Sequence, residues 1–244
     1  MKKKTDKQIR LLQEKANSGD PASLHELAFY YQAGMYFERD YKKAMQLWKM
    51  SAKKGYGPAY YNLVSMYYNG LGVKPNYKEA YKYLNLSIKK KHRFQGQSLI
   101  FLAQKFYFDD LLKKRNVKKG LIYFKQAAVK LNNVQAQFNL ASMYDSFFDI
   151  EPGIKKNDKI AFQYHEMAAK NKFVPSMFRV ANEYIKGKIV KKNEALAIKL
   201  FKEGSKINNK KILNSIGLDP LARAGVIKLT NLWKSHVKEL LKKL

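Results

Sequence analysis

A small–large–aromatic triplet recurs along the chain at intervals of about forty residues, and this repetition limits the fold more than any other feature. The triplets are Ser23, Leu27, Tyr31; Ala59, Leu63, Tyr67; Ser98, Leu102, Phe106; Ala136, Leu140, Tyr144; and Ser176, Val180, Tyr184. Their central residues step by 36, 39, 38 and 40 positions. A fixed period of roughly 20 to 50 residues marks a stack of supersecondary units, each too small to bury its apolar face alone. Within a triplet the i, i+4, i+8 spacing puts all three side chains on one helical face.

A second helix follows in each unit. Ala44, Ala80, Gly120, Ala161 and Ala197 are each succeeded at i+4 by a larger residue: Trp48, Leu84, Phe124, His165, Phe201. Four residues ahead of each small residue stands Asp40, Asn76, Asn116, Asn157 or Asn193. These short acceptors predict helix N-caps, where a side-chain oxygen takes a backbone N–H that the helix leaves unpaired. Between the two helices of the second unit runs "NGLGV", residues 69–73, whose glycines suit a reversal through positive φ. With no strand before it and no helix-start lysine after it, this glycine pair reads as a turn rather than a phosphate cradle.

The expected fold is therefore all-α: a solenoid of five two-helix repeats with a helical cap at each end. The repeats fall at about 21–56, 57–95, 96–133, 134–173 and 174–209, preceded by a capping helix in 1–20. In that first stretch Ile9, Leu12 and Ala16 are spaced to cover the first repeat. Residues 210–244 form a basic amphipathic capping helix, with Val226, Leu229, Trp233, Val237 and Leu240 at helical intervals and lysines opposite.

The units resemble the Sel-one-like repeat, a relative of the tetratricopeptide repeat. The second unit, "GPAYYNLVSMYYNGLGVKPNYKEAYKYLNLSIKKK", matches nearly throughout, and the first and fourth match well. The third, with "FDDLLKK", has lost the glycine turn, and the fifth, with "YIKGKIV", keeps one glycine. The resemblance implies scaffolding or adaptor use, with peptides held by asparagines on the concave, first-helix surface. Some relatives brace their repeats with paired cysteines; this chain has no cysteine, which removes that branch.

The same absence removes thiol nucleophiles and zinc–thiolate sites. His25, His92, His165 and His236 lie in different units and form no i, i+4 pair, and His165 fills a slot that is apolar elsewhere. The adjacent carboxylates Asp109 and Asp110 sit in the worn third turn, where solvation is the simpler role. No catalytic, cofactor-binding or metal-ligating set is expected, and no enzyme activity.

Charge is the other strong signal. The chain carries 48 Lys and Arg against 19 Asp and Glu, a formal net charge of +29. Such an excess points to phosphates, anionic membranes or acidic proteins. Arginine, the residue suited to bidentate phosphate and base recognition, supplies only 6 of the 48. Lys53, Lys89, Lys130, Lys170 and Lys206 recur near the second-helix ends, where cations offset the helix dipole by about 0.3–1 kcal/mol each. Lys74, Lys114, Lys155 and Lys191 recur six residues before the reference small residue and predict a basic stripe.

On the first helices, the residues one before and three after each large position form i, i+4 pairs. They include Asn62/Met66, Phe101/Lys105, Asn139/Met143 and Arg179/Glu183. The expectation is that Asn62 and Asn139 clamp a partner's backbone, Met66 and Met143 give adaptable apolar contact, and Lys105 and Arg179 meet acidic groups. The chain thus reads as a cytoplasmic binding module, an adaptor or toxin-neutralising immunity-type protein with an acidic protein partner. The rival reading is weak, salt-sensitive nucleic-acid or anionic-lipid binding, or a secreted host-directed scaffold. There is no apolar run long enough for a secretory signal or a transmembrane span. The sequence leaves partner identity and oligomeric state open.

Overall fold

The structure, a computed structural model, describes residues 4–107, 116–146 and 154–207. Lys114, the Asp109–Asp110 pair, His236 and the whole 210–244 segment with Trp233 lie outside the described residues. Described residues form eleven α-helices and no strand. They are α1 (Asp6–Asn17), α2 (Pro21–Ala33), α3 (Tyr41–Lys53), α4 (Gly57–Asn69), α5 (Tyr77–Lys89) and α6 (Gln95–Tyr107). Then come α7 (Val117–Lys125), continued by a π-helical turn (Gln126–Lys130), and α8 (Val134–Tyr144), α9 (Asp158–Lys170), α10 (Val174–Lys186) and α11 (Glu194–Lys206). The chain divides into two compact units, residues 1–102 and 103–244.

One local device builds every hairpin. At the start of the second helix, Asp40, Asn76, Asn116, Asn157 and Asn193 each accept the backbone N–H three residues on, at 2.9, 3.0, 2.9, 3.1 and 3.0 Å. The same five residues donate their own backbone N–H to the carbonyl of the triplet aromatic, Tyr31, Tyr67, Phe106, Tyr144 or Tyr184. That carbonyl lies in the last turn of the first helix, where no intrahelical partner is left for it. Each cap residue therefore satisfies orphan groups on both helices and pins them together. Between them, Gly70 ends α4 at φ 69° and Gly72 follows at φ 73°. A Cβ on Gly72 would come within 2.8–2.9 Å of the Tyr41 backbone, so this loop needs glycine both for its φ and for close approach to the preceding repeat.

In residues 1–102, α1 packs Ile9, Leu12 and Ala16 on Leu24, Leu27 and Tyr30 of α2. Ala59 and Leu63 are wholly buried and Tyr67 nearly so. Trp48 is fully buried with its indole N–H donated to the His25 carbonyl at 3.2 Å, which ties α3 to α2. Among the described residues of 103–207, one core cluster gathers Phe162, Val174, Met177, Phe178, Val180 and Phe201 with the small residues Ala169, Ala181 and Ala197. Ala136, Leu140, Ser176 and Val180 of the triplets are also buried, while Tyr144 and Tyr184 are half-buried.

Candidate protein-binding face

The first helices carry the residues that the sequence proposes for a partner, and packing sorts them by helical angle. At about 100° per residue, a side chain three positions after the large residue lies only about 60° from it, inside the apolar stripe. Met66 is accordingly fully buried and Met143 is 4% exposed. Neither offers surface to a partner, which corrects the expectation of adaptable apolar contact. The residue one before the large position lies about 100° away and stays near the surface. Asn62, Phe101, Asn139 and Arg179 are all half-buried.

Asn62 is built into the junction between α2 and α4. Its amide Nδ2 lies 2.9 Å from Nε2 of His25, in the preceding repeat. His25 is buried beside Trp48 and Tyr56, with ring centroids 6.3 and 5.3 Å away. Burial, reinforced by the Arg93 charge, lowers its pKa to about 4, so the ring is neutral at pH 7 and its Nε2 accepts from the amide. The contact ties the two side chains together across the repeat junction. Asn139 holds the equivalent place on α8, also half-buried.

Arg179 has a different fate from the one expected. Its Nε and Nη2 donate to both carboxylate oxygens of Asp145 at 2.8 and 3.1 Å, and Nη1 pairs with Glu183. Asp145 and Glu183 are buried, and the guanidinium neutralises them instead of facing a partner. His165 completes the cluster, its Nε2 3.3 Å from Asp145 Oδ2 and its Nδ1 3.1 Å from Ser176 Oγ. Burial lowers the His165 pKa despite the neighbouring Asp145, so the neutral ring donates to Asp145 and accepts from Ser176. A serine, a histidine and an aspartate in sequence suggest a nucleophilic relay, but Ser176 is fully buried and His165 is 1% exposed. The arrangement seals the α8–α9–α10 junction, and His165 is a packed core residue, as its repeat position predicts.

Lys105 is half-buried on α6. Of the proposed basic stripe, Lys74, Lys155 and Lys191 are exposed. Lys53, Lys89, Lys130, Lys170 and Lys206 all lie exposed in the last turns of the second helices, where they offset the helix dipole. Among the described residues no group of His, Asp and Glu is placed to hold a metal ion, and no helix is long and apolar enough to cross a membrane. The polar cluster is what sequence reasoning missed. Its one local sign was Arg179 and Glu183 standing together where Asn62 and Met66 stand in the second repeat.

A family model for the Sel1 repeat matches residues 21–56, 57–92, 96–128, 134–173 and 174–209. Among solved structures, a Sel1 repeat protein from Oxalobacter formigenes is 21% identical, with a TM-score of 0.58 over 87% of this chain and 85% of that one. The protective antigen c5321 of uropathogenic Escherichia coli, described as displaying an SLR fold, is 20% identical with a TM-score of 0.53. That match covers 93% of this chain but spans only 57% of the antigen. No curated protein matches significantly. Five matched repeats, each with the same capped hairpin, place the chain in the Sel1 repeat family, as a solenoid of helical repeats.

Proposed function

We propose that this chain is a non-enzymatic cytoplasmic scaffold, an adaptor or toxin-neutralising protein, that holds an acidic segment of a protein partner against its first helices. Sel1 repeats generally mediate protein–protein interactions and are typically non-catalytic. The observation that carries the reading is the Asn62 amide. His25 holds it through one N–H, and its carbonyl oxygen and second N–H are the groups we assign to a partner's backbone. An amide held in advance loses little freedom on binding. Asn139, half-buried at the equivalent position of α8, offers a second amide in the second unit, without a histidine to hold it.

The net charge of +29 supports an acidic partner, with Lys74, Lys155 and Lys191 exposed to steer it. Peptide-display selection against the immobilised full chain tests this directly. The expected result is enrichment of extended sequences rich in Asp and Glu, weakened when Asn62 and Asn139 are replaced by Ala. Recovery of sequences without acidic bias, or of binders indifferent to both asparagines, overturns the proposal.

A further inference from the structure

A second surface lies on the second helices, α3 and α5, of residues 1–102. Each helix with its following turn carries five exposed lysines, within 42–54 and 78–91. The one acidic residue on these two helices, Glu79, is held by Lys82 at 3.3 Å. Standing among the lysines are exposed apolar side chains. Met50 is 52% exposed and Leu86 36%, at the same helical position in successive repeats, and Tyr77 is 50% exposed at the start of α5. Tyr67 of α4 stands between the two helices: Lys49 of α3 lies over its ring at 5.5 Å, and Tyr83 of α5 stacks on it at 5.6 Å.

We propose that this α3–α5 face docks on an anionic phospholipid surface. Interfacial protein faces combine cations at headgroup level with apolar tips at the acyl boundary, and Met50 and Leu86 flanked by Lys49, Lys53, Lys82 and Lys89 have that composition. Nucleic acid fits the face less well. Tyr83 stacks on both Tyr60 and Tyr67, and the exposed Tyr77 is tilted against Tyr68 at 5.4 Å, so the face offers no run of rings for successive bases. Neither helix carries an arginine fork for phosphate. A phosphate backbone would also leave Met50 and Leu86 desolvated without an apolar partner. The face is separate from Asn62 and Asn139, so its failure and that of the scaffold reading are independent.

Cosedimentation of the full chain with vesicles tests it. Binding is expected to phosphatidylcholine mixed with phosphatidylserine and not to phosphatidylcholine alone, falling about 10-fold or more between low and high salt. Met50→Glu with Leu86→Glu, which keeps every lysine, is expected to lower partitioning about 10-fold. Lys49, Lys53, Lys82 and Lys89 together changed to Gln are expected to lower it at least as much. All six side chains are solvent-facing, so helicity by circular dichroism is expected to be unchanged. Equal binding to zwitterionic vesicles, or full anionic binding by both variants, overturns the proposal. So does tighter binding to single-stranded RNA that survives the Met50/Leu86 change and is lost in the lysine variant.

Discussion

Residues 1–102 and 103–207 seal equivalent helix junctions with opposite chemistries. Where α2 meets α4, the joint is neutral: Leu63 and Met66 pack fully buried, and the Asn62 amide meets a His25 ring that burial keeps uncharged. Where α8 and α9 meet α10, the same two helical positions hold Arg179 and Glu183, locked onto buried Asp145. Neutral packing degrades in steps as atoms are removed, because the loss scales with lost contacts and cavity volume. A buried ion cluster is less forgiving, since deleting one member strands the others in a poorly solvating interior.

The largest expected effect follows from that contrast. Arg179→Met leaves the Asp145 and Glu183 carboxylates without their cation, and is expected to destabilise by about 3–5 kcal/mol in denaturant unfolding. Restoring neutrality with Asp145→Asn and Glu183→Gln in the same chain is expected to recover much of the loss. A single Arg179→Met variant as stable as the parent would show that the cluster is not carrying charge. On the neutral side, Leu63→Ala is expected to cost about 2–5 kcal/mol as a cavity mutant, with Leu140→Ala similar in the second unit. Little loss in either would break the shared repeat register.

Acid probes both joints. Unfolded histidine titrates near 6.5 and His25 in the folded chain near 4, so in that window the unfolded chain takes up the additional proton. Stability is therefore full above about pH 6.5 and declines as pH falls toward 4, with His165 and His92, also lowered by burial, acting in the same direction. Thermal midpoints measured across that range are expected to drop, and His25→Gln to flatten part of the fall. A smaller effect belongs to the caps. Asn76→Ala and Asn193→Ala are each expected to cost about 1 kcal/mol, because the side-chain bond goes while the backbone bond to Tyr67 or Tyr184 stays. Smallest is a gain: exposed Lys172 sits at φ 59° where the first repeat has Gly55 at φ 80°, so Lys172→Gly is expected to stabilise by about 0.5–1 kcal/mol.

The sequence showed most plainly what is local. Five cap residues and five triplets were readable because a helix start and a helix face are set within a few residues, and the structure places all of the caps as expected. The interior faces of the first helices were harder. A helix packed against both its own partner and the next repeat has a wide buried arc, which took in Met66 and Met143 along with the triplets. The charged joint was least readable, because Asp145 meets His165 and Arg179 across separations of 20 and 34 residues. Charged residues at such distances carry no periodicity to betray their meeting. His25 as the partner of Asn62, 37 residues away, was hidden for the same reason.

The central claim is that half-buried asparagines on the first helices hold an extended acidic segment. Asn139 tests it most cleanly, since its side chain is not tied to a buried histidine as Asn62 is. The measurement is the dissociation rate of a selected acidic peptide from the parent chain and from Asn139→Ala, beside the thermal midpoints of both. Loss of one amide clamp worth about 1.4 kcal/mol predicts dissociation about 10-fold faster. The midpoint is expected to stay within about ±0.5 kcal/mol of unchanged stability. An unaltered dissociation rate, with the peptide still captured, would contradict the account and move the binding site off this face.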